Sequence, residues 1–163
     1  MGIGHLQVLV KGISHVTATP VHSLGDRVTV DGNDYVYVHN RSSDKTALVG
    51  YAMMASSGTG YSLVISHVSA QDLPVGVVQH TDIPVNEYGW IMKRGYAKVV
   101  AGINTSLDAN DYLILVATTN TGNISRKTLN SATSNEAFRI EAFGVVKVAT
   151  GTAGVGQALI NCP

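Results

Sequence analysis

Charge is what this sequence has least of. Only 13% of its 163 residues are charged, and eleven Lys and Arg balance eleven Asp and Glu, so the chain lacks the long-range field that gathers nucleic acid or an anionic membrane. Cysteine is nearly absent too. A lone Cys162 excludes an intrachain disulfide framework and a cysteine-built zinc site. No apolar run reaches transmembrane length, and the opening MGIGHLQVLVKG has neither the basic region nor the long apolar region of a signal peptide. Gly2 suggests myristoylation, but Leu6 stands where that motif requires Ser or Thr. These absences predict a soluble, untargeted chain. Its length suits one domain with a real core, and its weakly charged surface favours association with other protein.

Helical periodicity is also scarce. DRVTV, DYVYVHN, YSLVISHV, VGVVQH, YGWIM, YAKVV, DYLILVA, FRIEAF, GVVKVA and QALI are short runs rich in β-branched and aromatic residues, separated by Gly, Asn, Asp, Ser and Pro. They predict an all-β fold, a compact β-sandwich or β-barrel-like domain over residues 21–163. Residues 1–20 read either as an extended N-terminal arm or as the domain's first strand, with Leu6, Val8 and Val10 on one side. Asp31-Gly32 is a two-residue hairpin signal, placing Tyr35, Tyr37 and His39 on one strand face and Val36 and Val38 on the other. SNEAFRIEAFG carries a helix-like cap but alternates like a strand, and is assigned to strand. ATTNTGNISRKTLNSATSN, residues 117–135, reads as a long projecting loop.

Catalytic and cofactor patterns are missing. TGTAGVG follows an apolar run, but its glycines at 151, 154 and 156 do not keep the G-x-G-x-x-G order of a dinucleotide site, and too few residues follow for a crossover helix. The six histidines stand singly, without metal-ligand spacing. No serine lies in a nucleophile elbow. Asp82, Glu87, Asp108 and Asp111 lie close to Gly, Asn or Pro and read as turn formers rather than a catalytic pair. The expectation is a non-enzyme without metal or cofactor.

EYGWIMKRGYAKVV, from Glu87 to Val100, holds the only Trp and two adjacent cations. As a nucleic-acid platform it would offer Trp90 and Tyr96 for base stacking, with Lys93 and Arg94 for phosphates, like the strand face of an OB-fold. The scattered cations and neutral total weigh against that. As structure it is either one bulged strand or two strands joined by Lys93-Arg94-Gly95, with Trp90 a packing anchor in both cases.

From Val75 to Val100 and on through LDANDYLILV, the sequence resembles the head decoration or capsid-stabilising (cement) proteins of tailed bacteriophages. Those chains read G-V-V, Y-G-W-V, G-x-A-x-V and G-D-x-L with spacers between. The matching positions are Gly76, Val77, Val78, Tyr88, Gly89, Trp90, Ile91, Gly95, Ala97, Val99, Asp111 and Leu113. Asn110 replaces the usual Gly, and Asn also accepts positive φ. The ending FGVVKVATGTAGVGQALI is similar as well, so the likeness covers about the last half of the chain. It implies a virion component that binds the outer surface of a capsid, hence the major capsid protein, and reinforces the shell; self-association as a homotrimer is the accompanying expectation, because a trimer matches the local three-fold axes of an icosahedral shell. No membrane, no specific nucleic acid and no catalysis are implied. Leu6, Val8, Val10, Lys93 and Arg94 are then the candidate contacts with capsid or neighbouring subunits. Two other readings stand beside it: an OB-like nucleic-acid module, and a carbohydrate- or host-binding module of a phage fibre or tail in which Tyr35 and Tyr37 stack on sugars.

Overall fold

The computed structural model describes residues 12–55, 60–64, 73–101, 106–110, 112–115, 124–127, 143–149 and 154–162. Within them the fold is all-β, with ten strands: β1 Arg27–Val30, β2 Asn33–Asn40, β3 Ala52–Ala55, β4 Ser62–Val64, β5 Leu73–Val78, β6 Tyr88–Val100, β7 Tyr112–Leu115, β8 Ile124–Lys127, β9 Gly144–Val148 and β10 Val155–Asn161. The candidate arm residues Leu6, Val8 and Val10 lie outside the described residues. So does most of FRIEAF.

Local chemistry fixes the first hairpin. Val30 pairs with Asn33 across Asp31 (φ 50°) and Gly32 (φ 77°), and two successive left-handed residues match the twist of antiparallel strands. β2 then pairs with β6 on one side and, in parallel, with β4 on the other. β4 joins β3, β3 joins β5 and β5 joins β6. These pairings close a five-stranded ring.

The ring explains why β2 alternates and yet is buried on both faces. Val36 and Val38 point inward with Met53, Leu63, Val78 and Ile91, and the connecting segments add Ala47 and Ile83. Tyr35 and Tyr37 point outward into a second apolar cluster with Trp90 and Met92. That cluster continues through Ala97, Val99, Leu113, Val146, Ala158 and Ile160, so a second layer of strands, in the order β6-β10-β9-β7-β8, shares its core with the outside of the ring.

β6 belongs to both layers. Tyr35 pairs with Met92 but Asp34 pairs with Arg94, leaving Lys93 as one extra residue, and Gly95 follows at φ 137°. Of the two forms open to Lys93-Arg94-Gly95, the bulged strand is the one adopted. Before the bulge β6 lines the ring; after it, Arg94 to Val100 pair with Asn161 to Val155 of β10.

One segment differs from expectation, and another forms a strand against its residues' propensity. Residues 117–135 are not all loop: Ile124–Lys127 form β8, in register with Tyr112–Leu115. Ala52–Ala55 form β3 although Ala and Met are weak strand formers, because pairing on both edges and complete burial of Ala52 and Met53 outweigh propensity. Asn110 takes φ 73°, a left-handed conformation that Asn accepts.

Candidate interaction surface

The opposite sides of β6 have different chemistry. On the core side, Trp90 is 4% exposed, and its ring centroid lies 5.2 Å from that of Tyr37 and 5.1 Å from that of His22. Tyr37 is fully buried, and its hydroxyl accepts a hydrogen bond from the Val21 amide at 3.3 Å. Thr17 and Tyr88 exchange backbone hydrogen bonds at 3.1 and 2.9 Å. Residues 13–22 are thereby strapped over the aromatic cluster, with Ile13 and Val21 packed on it. Trp90 is thus packed among aromatic rings beneath this strap.

This burial corrects the stacking roles expected of these aromatic residues in the two alternative readings. Tyr35 and Tyr37 are 3% and 0% exposed, so they offer no face to a sugar. Trp90 and Tyr96 cannot form a joint stacking platform, because Trp90 faces the core while Tyr96 is 51% exposed on the other side of the strand.

Three histidines beside these aromatic rings are shifted below their ordinary value. His22 lies below its ordinary value of 6.5 through burial, with nearby Asp26 opposing and His15 reinforcing the shift. His39, stacked on Tyr88 at 4.4 Å, and His80, whose Nε2 lies 3.0 Å from the Tyr35 hydroxyl, are lowered chiefly by burial as well. The unfolded chain therefore takes up these protons first. Their contribution to stability is complete above pH 6.5 and is lost as pH falls through 6.5 towards the lowered values. Thermal melts should show a falling midpoint from about pH 7.5 to about pH 5.5, flattened in part by His22→Gln. A midpoint that is constant or rises on acidification contradicts this assignment.

The outward side of β6 beyond the bulge is a different surface. Tyr96 pairs across the ladder with Leu159, and both are about half exposed. Val155 and Val148 extend the apolar stripe onto β10 and β9. Arg94, Lys98 and Lys147 are exposed in the same strands. Arg94 Nε lies 3.0 Å from the Asp34 carboxylate, a solvent-exposed pair worth about 0–1 kcal/mol. Lys93 is half-buried at the bulge, where its carbonyl accepts the Cys162 amide at 3.0 Å.

Side chains close the edge of β6 that faces away from β10. Asn33 Oδ1 accepts the Tyr96 amide at 3.1 Å, and the Gln79 amide group spans Lys98 with bonds of 2.8 and 2.9 Å to its N–H and carbonyl. Gly50 takes the Val100 amide at 3.1 Å. With those groups satisfied, this edge is poorly suited to adding a strand. Its exposed side chains are what it offers a partner.

Among the described residues, no group of three or more His, Cys, Asp or Glu is placed to hold a metal ion. Of the acidic turn formers, Asp82 accepts the Val49 amide at 2.7 Å, which is loop chemistry. Cys162 is buried, and its thiol is pushed up to about 12 by desolvation against a smaller opposing effect of Lys93. A buried neutral thiol is a poor nucleophile. A thiol reagent at neutral pH should thus leave the folded protein unmodified and label it stoichiometrically in denaturant; rapid labelling of the native chain would place Cys162 elsewhere.

No protein-family model matches this sequence, and no curated protein matches it either. Among solved structures, the crystal structure of the head fiber gp8.5 N base in bacteriophage phi29 is similar in shape. The two share 16% identity with a TM-score of 0.49, over 78% of this chain and 94% of that one.

Proposed function

We propose that this chain is a structural protein of a tailed-phage virion, which binds the major capsid protein on the outer surface of the head as a homotrimer and reinforces the shell. The observation that carries this reading is the place of the decoration-protein motif in the fold. Gly76, Val77 and Val78 lie on β5, and Tyr88 to Ile91 lie on the adjoining part of β6. Gly95, Ala97 and Val99 are the buried positions of β6 beyond its bulge. Motif residues scattered over 24 positions thus form one packed unit. A protein that reinforces a shell needs such a packed unit to carry its contacts with neighbouring protein.

The test is binding to heads of the phage whose genome carries this reading frame, stripped of loosely held proteins. The folded chain is expected to co-sediment with them and to saturate at a fixed ratio to the major capsid protein. Absence of co-sedimentation by a chain with an intact strand spectrum overturns the proposal.

A further inference from the structure

The zero net charge conceals a division of charge at the bulge. Residues 1–92 contain four Lys and Arg against seven Asp and Glu, and residues 93–163 contain seven against four. Among the described residues, the ring side carries Asp26, Asp31, Asp34, Asp44, Asp82 and Glu87 against Arg27, Arg41 and Lys45, whereas Arg94, Lys98 and Lys147 lie on the strands of the second layer. Lys93, where β6 leaves the ring, is the boundary. Beyond it, β6, β9 and β10 contain no Asp or Glu.

Apolar groups accompany the charge in both halves. The basic half exposes the pair Tyr96 and Leu159 between Arg94 and Lys98. The acidic half exposes Leu24, two residues from Asp26, and Leu48, next to the Val49 amide that Asp82 holds. We propose that the outward face of β6, β10 and β9 docks on the acidic ring half of a second copy of this chain, in a head-to-tail contact. The proposal rests on the self-association in the functional reading above, not on its capsid. A two-fold contact of this face with itself would set Arg94, Lys98 and Lys147 near their own copies, where like charges repel. A heterologous contact sets them against carboxylates and covers the exposed tyrosine and leucine.

Sedimentation of the full chain tests this, with circular dichroism to confirm that each variant is folded. At micromolar concentration and about 50 mM salt the wild type is expected to run as a multiple of its 17.1 kDa mass, and to dissociate partly at about 500 mM. Tyr96→Ser with Leu159→Ser, and separately Lys98→Glu with Lys147→Glu, should each weaken association about tenfold or more. Mixing separates the two geometries. The serine variant keeps its acidic half, so it should still form a mixed complex with wild type, whereas a face-to-face contact gives none. A monomeric wild type, folded variants that associate as tightly as wild type, or no mixed complex would each overturn the proposal. Failure to bind phage heads with these results intact would defeat only the capsid reading.

Discussion

Replacing Trp90 with Ala is expected to cost about 3–5 kcal/mol of folding stability, a large share of the roughly 5–15 kcal/mol that keeps a domain folded. The indole is 4% exposed and meets the rings of Tyr37 and His22. Tyr37 lies under the strap of residues 13–22 and His22 belongs to it, so the void would open between the strap and the strands beneath it. Its lining is aromatic and fixed by the ladder on β2 and β6, which limits collapse into the space. Urea denaturation followed by circular dichroism measures the loss, since the substitution removes the chain's only Trp signal. A change below about 1 kcal/mol would mean that Trp90 is not the anchor.

Gly76→Ala is expected to destabilise by about 1–3 kcal/mol or more, for the opposite reason. A methyl group there would stand 2.6 Å from the Met92 carbonyl oxygen and 2.9 Å from the Ile91 side chain. The carbonyl is backbone within the ring and cannot swing away. Gly32→Ala is the control. It meets nothing within 4 Å and carries only its φ of +77°, so about 1 kcal/mol is expected. Equal effects at the two sites, measured by the same denaturation, would show that β5 and β6 do not approach so closely in solution.

The same close approaches show why some of the fold was readable from sequence. Gly76, Gly89 and Gly95 are prominent in the decoration-protein motif, and at each an added Cβ would collide with a neighbouring element: Met92 and Ile91, Ile83, and Asn33 respectively. Period-two alternation located Tyr35 and Tyr37 opposite Val36 and Val38, and Asp31-Gly32 located the hairpin. Both signals are local.

What was not readable depends on partners distant in sequence. Trp90 and Tyr96 are both even-numbered, and in a regular strand they would share a face. The extra residue at Lys93 reverses the phase, so one is buried and the other exposed. Lys-Arg-Gly is compatible with a turn or a bulge, and only pairing with β2 on one side and β10 beyond it selects the bulge. β8 is hidden for a related reason: Ile124–Lys127 sits among Ser, Thr and Asn, and its order comes from the ladder with β7. The charge division was present in the sequence but masked by a total of zero.

The most direct test of the proposed capsid reinforcement is the temperature at which filled phage heads release their DNA, measured by dye access with and without saturating chain. The predicted result is release at a higher temperature with the chain bound, returning to the original value when the chain is stripped. Saturable binding with no change in release temperature would contradict reinforcement.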